Sequence, residues 1–104
     1  SEVPIGLYLQ AAESRDIIER MLRNLKDIHK MQEDWPRLIA VLDRLLVLHP
    51  TAWSEHRDRG LALAEKGEPE RALIDLEMYL AHAEDALDLD EVADRMADLR
   101  RACG

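Results

Sequence analysis

Four histidines, one cysteine and a run of carboxylates are the residues of this 104-residue chain whose types could do chemistry. His29, His49, His56 and His82 lie 20, 7 and 26 residues apart, so no helical stretch sets two of them three or four positions from each other. Zinc ligands need that closeness or a short Cys and His spacing, and no metal site is expected. His29 falls on an apolar stripe and reads as a satisfied core-edge residue; the other three read as solvated helix ends. Cys103 stands one residue from the end of the chain with no base and orienting group beside it, which argues against a nucleophile. Asp85, Asp88, Asp90, Glu91 and Asp94 lack the glycine and the terminal bidentate glutamate of a calcium loop, and read as a solvated acidic face. With no nucleophile, base and orienting group together, neither an enzyme nor a cofactor site is expected.

The remaining chemistry is ionic. Helical spacing sets Arg20, Arg23, Asp27 and Lys30 along one exposed strip, and Arg57 follows Arg23 by 34 residues, in the same slot of a second unit. Guanidinium groups in such a strip can hold a carboxylate or an acidic peptide in bidentate geometry. Arg20, Arg23, Lys30 and Arg57 are therefore the candidate partner-binding residues. The competing reading pairs them within their own helix, Asp16 with Arg20 and Glu19 with Arg23, each pair contributing about 0.2–0.5 kcal/mol.

Helices must position these groups. Leu, Ala, Glu, Asp and Arg dominate, Phe is absent, 47% of residues are hydrophobic and 35% charged, which is the composition of amphipathic helices. Ser14 is placed to cap a first long helix running to about Gln32, with Ile18, Met21, Leu22, Leu25, Ile28 and His29 as its apolar stripe. Asp34 is placed to cap a second, with Trp35 and Pro36 in its first turn, that stops before His49-Pro50. Thr51 reads as the cap of a third helix ending at Gly67, and Glu68-Pro69 opens a fourth that continues to about Ala83. A fifth, from about Leu89 to Ala102, carries Val92, Met96 and Leu99 on one face and serves as a terminal cap. Residues 1 to 13, with Val3, Ile5, Leu7, Tyr8 and Leu9, read as an apolar connecting segment that packs on something.

Residues 19–52 and 53–86 superpose as two copies of one helical hairpin offset by 34: Leu42 falls on Leu76, Asp43 on Glu77, Leu46 on Leu80, and Leu38 on Ala72. Leu22, Leu25, Leu38, Leu42, Leu45 and Pro50 in the first copy, with Gly60, Leu63, Ala72, Leu76 and Tyr79 in the second, resemble the tetratricopeptide (TPR) consensus of small and bulky positions. Lys26 stands where that consensus has a small residue, and His56 and Arg59 stand where it has Trp and Leu. The expectation is an all-α fold of TPR-like hairpins with a capping helix, five helices in total. Trp35 and Trp53, near the hairpin boundaries, would bridge successive helices or anchor a partner.

From about Ser14 onward the chain also resembles the C-terminal tail of bacterial transglutaminase-like proteins of invasion-regulator B type. The stretches that carry this are Arg20 to Lys26, Trp35 with Val41 to Leu46, Arg57 to Leu61, and Ala72 to Glu77 with Tyr79 and Leu80. The resemblance implies a papain-like domain upstream that holds the family's possible active site, none of whose motifs occurs here.

Charge and cysteine count narrow the partners. The formal net charge is -8; residues 15–59 carry nine basic and eight acidic groups, residues 60–104 five against twelve. That balance excludes general binding to nucleic acid or to an anionic membrane surface. One cysteine forms no disulfide framework, no apolar stretch approaches about 18 residues, and no signal segment opens the chain, so a cytoplasmic location is expected. The absence of an initiator Met suggests a piece cut from a longer protein. The function expected is a non-catalytic protein-protein interaction module, probing an unidentified protein or peptide, an upstream domain or a second copy of the chain. The alternative is a structural or dimerising appendage to a transglutaminase-like domain.

Overall fold

A computed structural model describes residues 4–104 and folds them into five helices: α1 (Ile5–Met31), α2 (Trp35–Leu48), α3 (Trp53–Lys66), α4 (Pro69–His82) and α5 (Leu89–Cys103). Each helix packs on the next, and the chain is drawn out to 54 × 30 × 25 Å. Its radius of gyration of 16.3 Å exceeds the about 13 Å of a compact domain of this length, as a one-dimensional stack requires.

The punctuation has local causes. Asp34 caps α2 by accepting the Arg37 backbone N–H at 3.2 Å, and Pro36 lies in the first turn, where a missing N–H costs nothing. α3 ends on Gly67 at φ 91°, and α4 starts on Pro69. Two expected caps differ. The N-cap of α3 is Ala52, with Thr51 in the preceding turn and no side-chain cap. Ser14 lies inside α1, because the helix begins ten residues earlier than the cap-based reading placed it, with Pro4 as its N-cap. Residues 5–13 thus belong to α1, and Ser1 to Val3 of the expected connecting segment lie outside the described residues. Nothing in the described chain covers this end: Ile5, Leu7, Tyr8 and Leu9 are all exposed.

The core is built from the two repeats. α2 supplies Leu38, Ile39, Val41, Leu42 and Leu45, α3 Ala62 and Leu63, α4 Ala72, Leu76 and Tyr79, and α5 Val92, Met96 and Leu99. Leu42 and Leu76, one repeat apart, are both fully buried. Ala72 and Gly60 keep α3 and α4 close, since a Cβ on Gly60 would lie 2.8 Å from Leu76 and 3.1 Å from the Ala72 carbonyl. α1 departs from expectation. Only Leu22 of its apolar stripe is buried, while Ile18, Met21, Leu25 and Ile28 remain exposed.

Candidate protein-interaction surface

α1 and α3 lie side by side on one face of the stack, joined mainly through side chains. Arg23 reaches Glu55 at 3.1 Å, and Lys26 places its ammonium 2.8 Å from Glu55 and 2.7 Å from Asp58. Glu55 is 4% exposed, and these two cations are its ion-pair partners there. Burial works against the Lys26 charge, but the hydrogen bonds that its ammonium donates to Asp58 and Glu55 outweigh it and raise its pKa above the ordinary value. Burial pushes the Asp58 carboxyl up, and the Lys26 and Arg57 charges overcome this and hold it below the usual carboxylate range.

The next pair of helices repeats the device. Arg57, one period after Arg23, bonds Asp58 at 3.0 Å and Asp88, the N-cap of α5, at 3.2 Å. Its guanidinium stands 5.4 Å from the Tyr79 ring centroid, and the Tyr79 hydroxyl donates to Asp88. In each repeat an arginine at one position reaches forward to an acid at the start of the following first-helix. Asp88, read from sequence as part of a solvated acidic face, is instead a tie between α3, α4 and α5.

The four residues of the expected strip therefore have different surroundings. Arg20 is largely exposed and bound to Asp16 at 2.7 Å. Arg23 is half exposed, held between Glu19 at 3.6 Å and Glu55. Arg57 turns inward into the ties described above. Lys30 is exposed and makes no ion pair among the described residues. It borders a groove of about 340 Å³ between α1 and α3, with Lys26, Trp35, Leu38, Asp58 and Leu61 among its walls. Trp35 packs against the core and lines this groove with its remaining surface. Trp53 packs inside the repeat, edge-on to His82 at 4.0 Å and stacked on His56 at 5.5 Å.

A second ionic group on the other side of the stack escaped the sequence reading. Arg59 grips Asp75 with Nε at 2.7 Å and Nη2 at 2.8 Å, and reaches Asp43 of α2 at 3.0 Å. The Asp75 bonds come first among the influences that raise the Arg59 pKa. His56 adds a ring nitrogen to Asp75 at 3.1 Å and another to the Pro50 carbonyl at 3.0 Å, so it is a tie between α3 and α4 and no solvated helix end. His49 likewise meets Glu19 of α1, and that hydrogen bond lowers the Glu19 pKa. His29 is the reverse case: its Nδ1 is buried with no hydrogen-bond partner among the described residues. Lys26, His56 and Arg59, the positions that break the repeat consensus, are all members of these groups. Charged or polar side chains at positions where the consensus has small or apolar residues were the signal available in the sequence.

Among the described residues no group of three or more His, Cys, Asp or Glu side chains is arranged to hold a metal ion, and Cys103 is exposed at the end of α5. Among the described residues no helix is long and apolar enough to cross a membrane.

Stacked antiparallel hairpins, equivalent turns one period apart and a capping helix define a helical-repeat protein. The family model described as tetratricopeptide repeat matches residues 25–97, and the chain belongs to that family. Repeats of this kind serve protein-protein interaction. Among curated relatives, the chain is 36% identical over 95 residues to a UPF0162 protein of Xylella fastidiosa strain Temecula1, covering 91% of this chain and 34% of that protein. It is 35% identical over 102 residues to a UPF0162 protein of strain 9a5c, covering 94% of this chain and 36% of that one. The chain thus spans about a third of the length of these relatives. No solved structure matches it.

Proposed function

We propose that this chain is a non-catalytic module that holds a protein or peptide partner against the α1/α3 face, within a larger bacterial cytoplasmic protein. The carrying observation is the open groove between α1 and α3, which combines apolar walls from Trp35, Leu38 and Leu61 with Lys30, whose ammonium makes no ion pair among the described residues, and with the acids Glu33 and Glu65. Arg20 and Arg23 extend the cationic edge along α1, and Arg57 contributes by holding the second repeat in register. A segment whose one or two apolar residues fill the walls and whose carboxylate lies toward Lys30 and the α1 edge, away from Glu33 and Glu65, complements this surface.

A photo-reactive residue placed at Lys30 is expected to capture a discrete protein in cells. The double variant Lys30→Glu, Arg20→Glu, both at exposed positions, is expected to bind that purified protein at least about tenfold more weakly. Unchanged affinity with intact helical content would remove the groove assignment.

The second reading is a structural appendage to an upstream transglutaminase-like domain. It is supported by the relatives' greater length and by the exposed apolar surface of α1. Thermal unfolding of the longer protein with and without these residues separates the two. Equal stability of the remaining part would sink the appendage.

A further inference from the structure

The exposed apolar residues of α1 form a pattern more regular than a surface helix needs. Leu7, Ala11, Ser14, Ile18, Met21, Leu25, Ile28 and Gln32 follow one another at strict four and three spacing. This is the period of 3.5 that defines a coiled-coil seam, and six of the eight positions are apolar. The seam is uncovered: Leu7 is 54% exposed, Ile18 51%, Met21 58% and Ile28 48%. It lies on the opposite flank of α1 from Lys26 and Lys30, so it is separate from the α1/α3 groove.

Two further features say what fits it. Arg15 donates to the Leu48 carbonyl at the end of α2, so residues 5–14 run past the end of that helix with no packing partner among the described residues. A free helical stretch of that length is marginal in water. Along the seam the small residues, Ala11 and Ser14, fall in its first half and the bulky ones, Leu25 and Ile28, in its second. An antiparallel copy of the same helix, centred between Ile18 and Met21, sets Ala11 opposite Ile28, Ser14 opposite Leu25 and Ile18 opposite Met21. Small then meets large at the Ala11/Ile28 and Ser14/Leu25 levels, the condition for interdigitation, and the flexible Met21 side chain fills against Ile18 at the centre. The outer flank of the seam carries Gln10, Ile17, Asn24 and Met31, none charged, so two copies meet on that side without like-charge repulsion, while the flank toward α2 carries Arg15 and is bordered by Arg44, beside Ile18 and Leu25.

We propose that the α1 seam is the interface of an antiparallel, two-fold dimer of this chain, in which the overhang of each copy covers the Leu25 and Ile28 half of the other. The interface is isologous and closed, which limits assembly to two copies.

Sedimentation equilibrium of the 104-residue chain at about 50 µM is expected to return twice the 12.0 kDa chain mass, with a dissociation constant on the order of micromolar. Met21→Glu and, separately, Ile28→Glu, both at exposed positions, are expected to give monomers with at least about tenfold weaker association and unchanged helical circular dichroism. Register is read by oxidation in a Cys103→Ser background. Ser14→Cys protein mixed with Leu25→Cys protein is expected to form a crosslinked heterodimer, while Ser14→Cys alone is not. A monomeric wild type, a dimer that survives both glutamate variants, or efficient crosslinking of Ser14→Cys with itself would each overturn the proposal.

Discussion

Glu33 and Gly67 stand 34 residues apart and hold the same left-handed turn, at φ 53° and 91°. The Glu33 N–H bonds the Lys30 carbonyl and the Asp34 N–H the His29 carbonyl, matched one period later by Gly67 to Ala64 and Glu68 to Leu63. The hairpin bend is therefore set by a repeated helix terminus, with a glycine in one copy and a side chain in the other. Only glycine adopts this conformation without a Cβ penalty.

Glu33→Gly is expected to stabilise the fold by about 0.5–1 kcal/mol, and Gly67→Ala to destabilise it by about 1 kcal/mol. Urea unfolding followed by circular dichroism measures both. A destabilising Glu33→Gly or a neutral Gly67→Ala would show that the two turns are not equivalent in strain.

Lys26→Met leaves Glu55 and Asp58 without their shared cation. Breaking one member of a buried pair costs about 3 kcal/mol, and the nearby Arg23 recovers part of it, so a loss of roughly 2–3 kcal/mol is expected. Pairing the change with Glu55→Gln should restore a measurable part of the stability. A loss below about 0.5 kcal/mol for the single variant would place this tie among weak surface pairs.

The same tie predicts an acid limit. The folded pKa of Asp58 lies below its ordinary 3.8, so the unfolded chain binds the extra proton first as pH falls. The stabilisation is complete above the unfolded value and is lost as pH drops through the folded one. Unfolding free energy should hold steady above pH ~5 and decline below pH ~4, with a shallower decline in Asp58→Asn. Identical acid slopes for the two proteins would exclude Asp58 as a contributor.

Gly60→Ala should destabilise the second hairpin by about 1–3 kcal/mol, because the new methyl meets both the Leu76 side chain and the fixed Ala72 carbonyl. A companion Leu76→Val change, which removes bulk at the clash, is expected to lessen the penalty of the glycine replacement. Thermal unfolding of the single and double variants reads the coupling.

Arg59→Lys keeps the charge and loses the fork that grips both oxygens of Asp75. A loss of about 1–2 kcal/mol is expected, with His56 left as the only other side chain on that carboxylate. A neutral result would mean that the bidentate geometry contributes nothing beyond charge.

Particular residues show where the fold was legible in the sequence. Pro36, Pro50, Gly67 and Pro69 punctuate helices by local geometry, and the structure ends or begins helices at or next to each. Ser14 misled because capping is permissive: a serine is tolerated inside a helix when the sequence before it is also helix-compatible. The binding strip was legible only as a set of charges sharing a face. Whether Arg57 pointed to a ligand or to Asp88 depended on the turn after α4, which carries no periodic signal of its own.

By itself the sequence determined the hairpin period, the five helices and the burial of Leu42 and Leu76, because these follow from turn chemistry and from apolar spacing within one helix. Tertiary structure alone decided which charges are satisfied. Glu55, Asp75 and Asp88 look like ordinary helix-surface acids; the stacking of successive hairpins brings Lys26 and Arg57 within reach of Glu55 and Asp88, and the packing of α3 on α4 within one hairpin brings Arg59 to Asp75. It also decided that α1 buries Leu22 and leaves Ile18, Met21 and Ile28 in the open. A helix pattern records that an apolar face exists; only the arrangement of its neighbours determines how much of that face they cover.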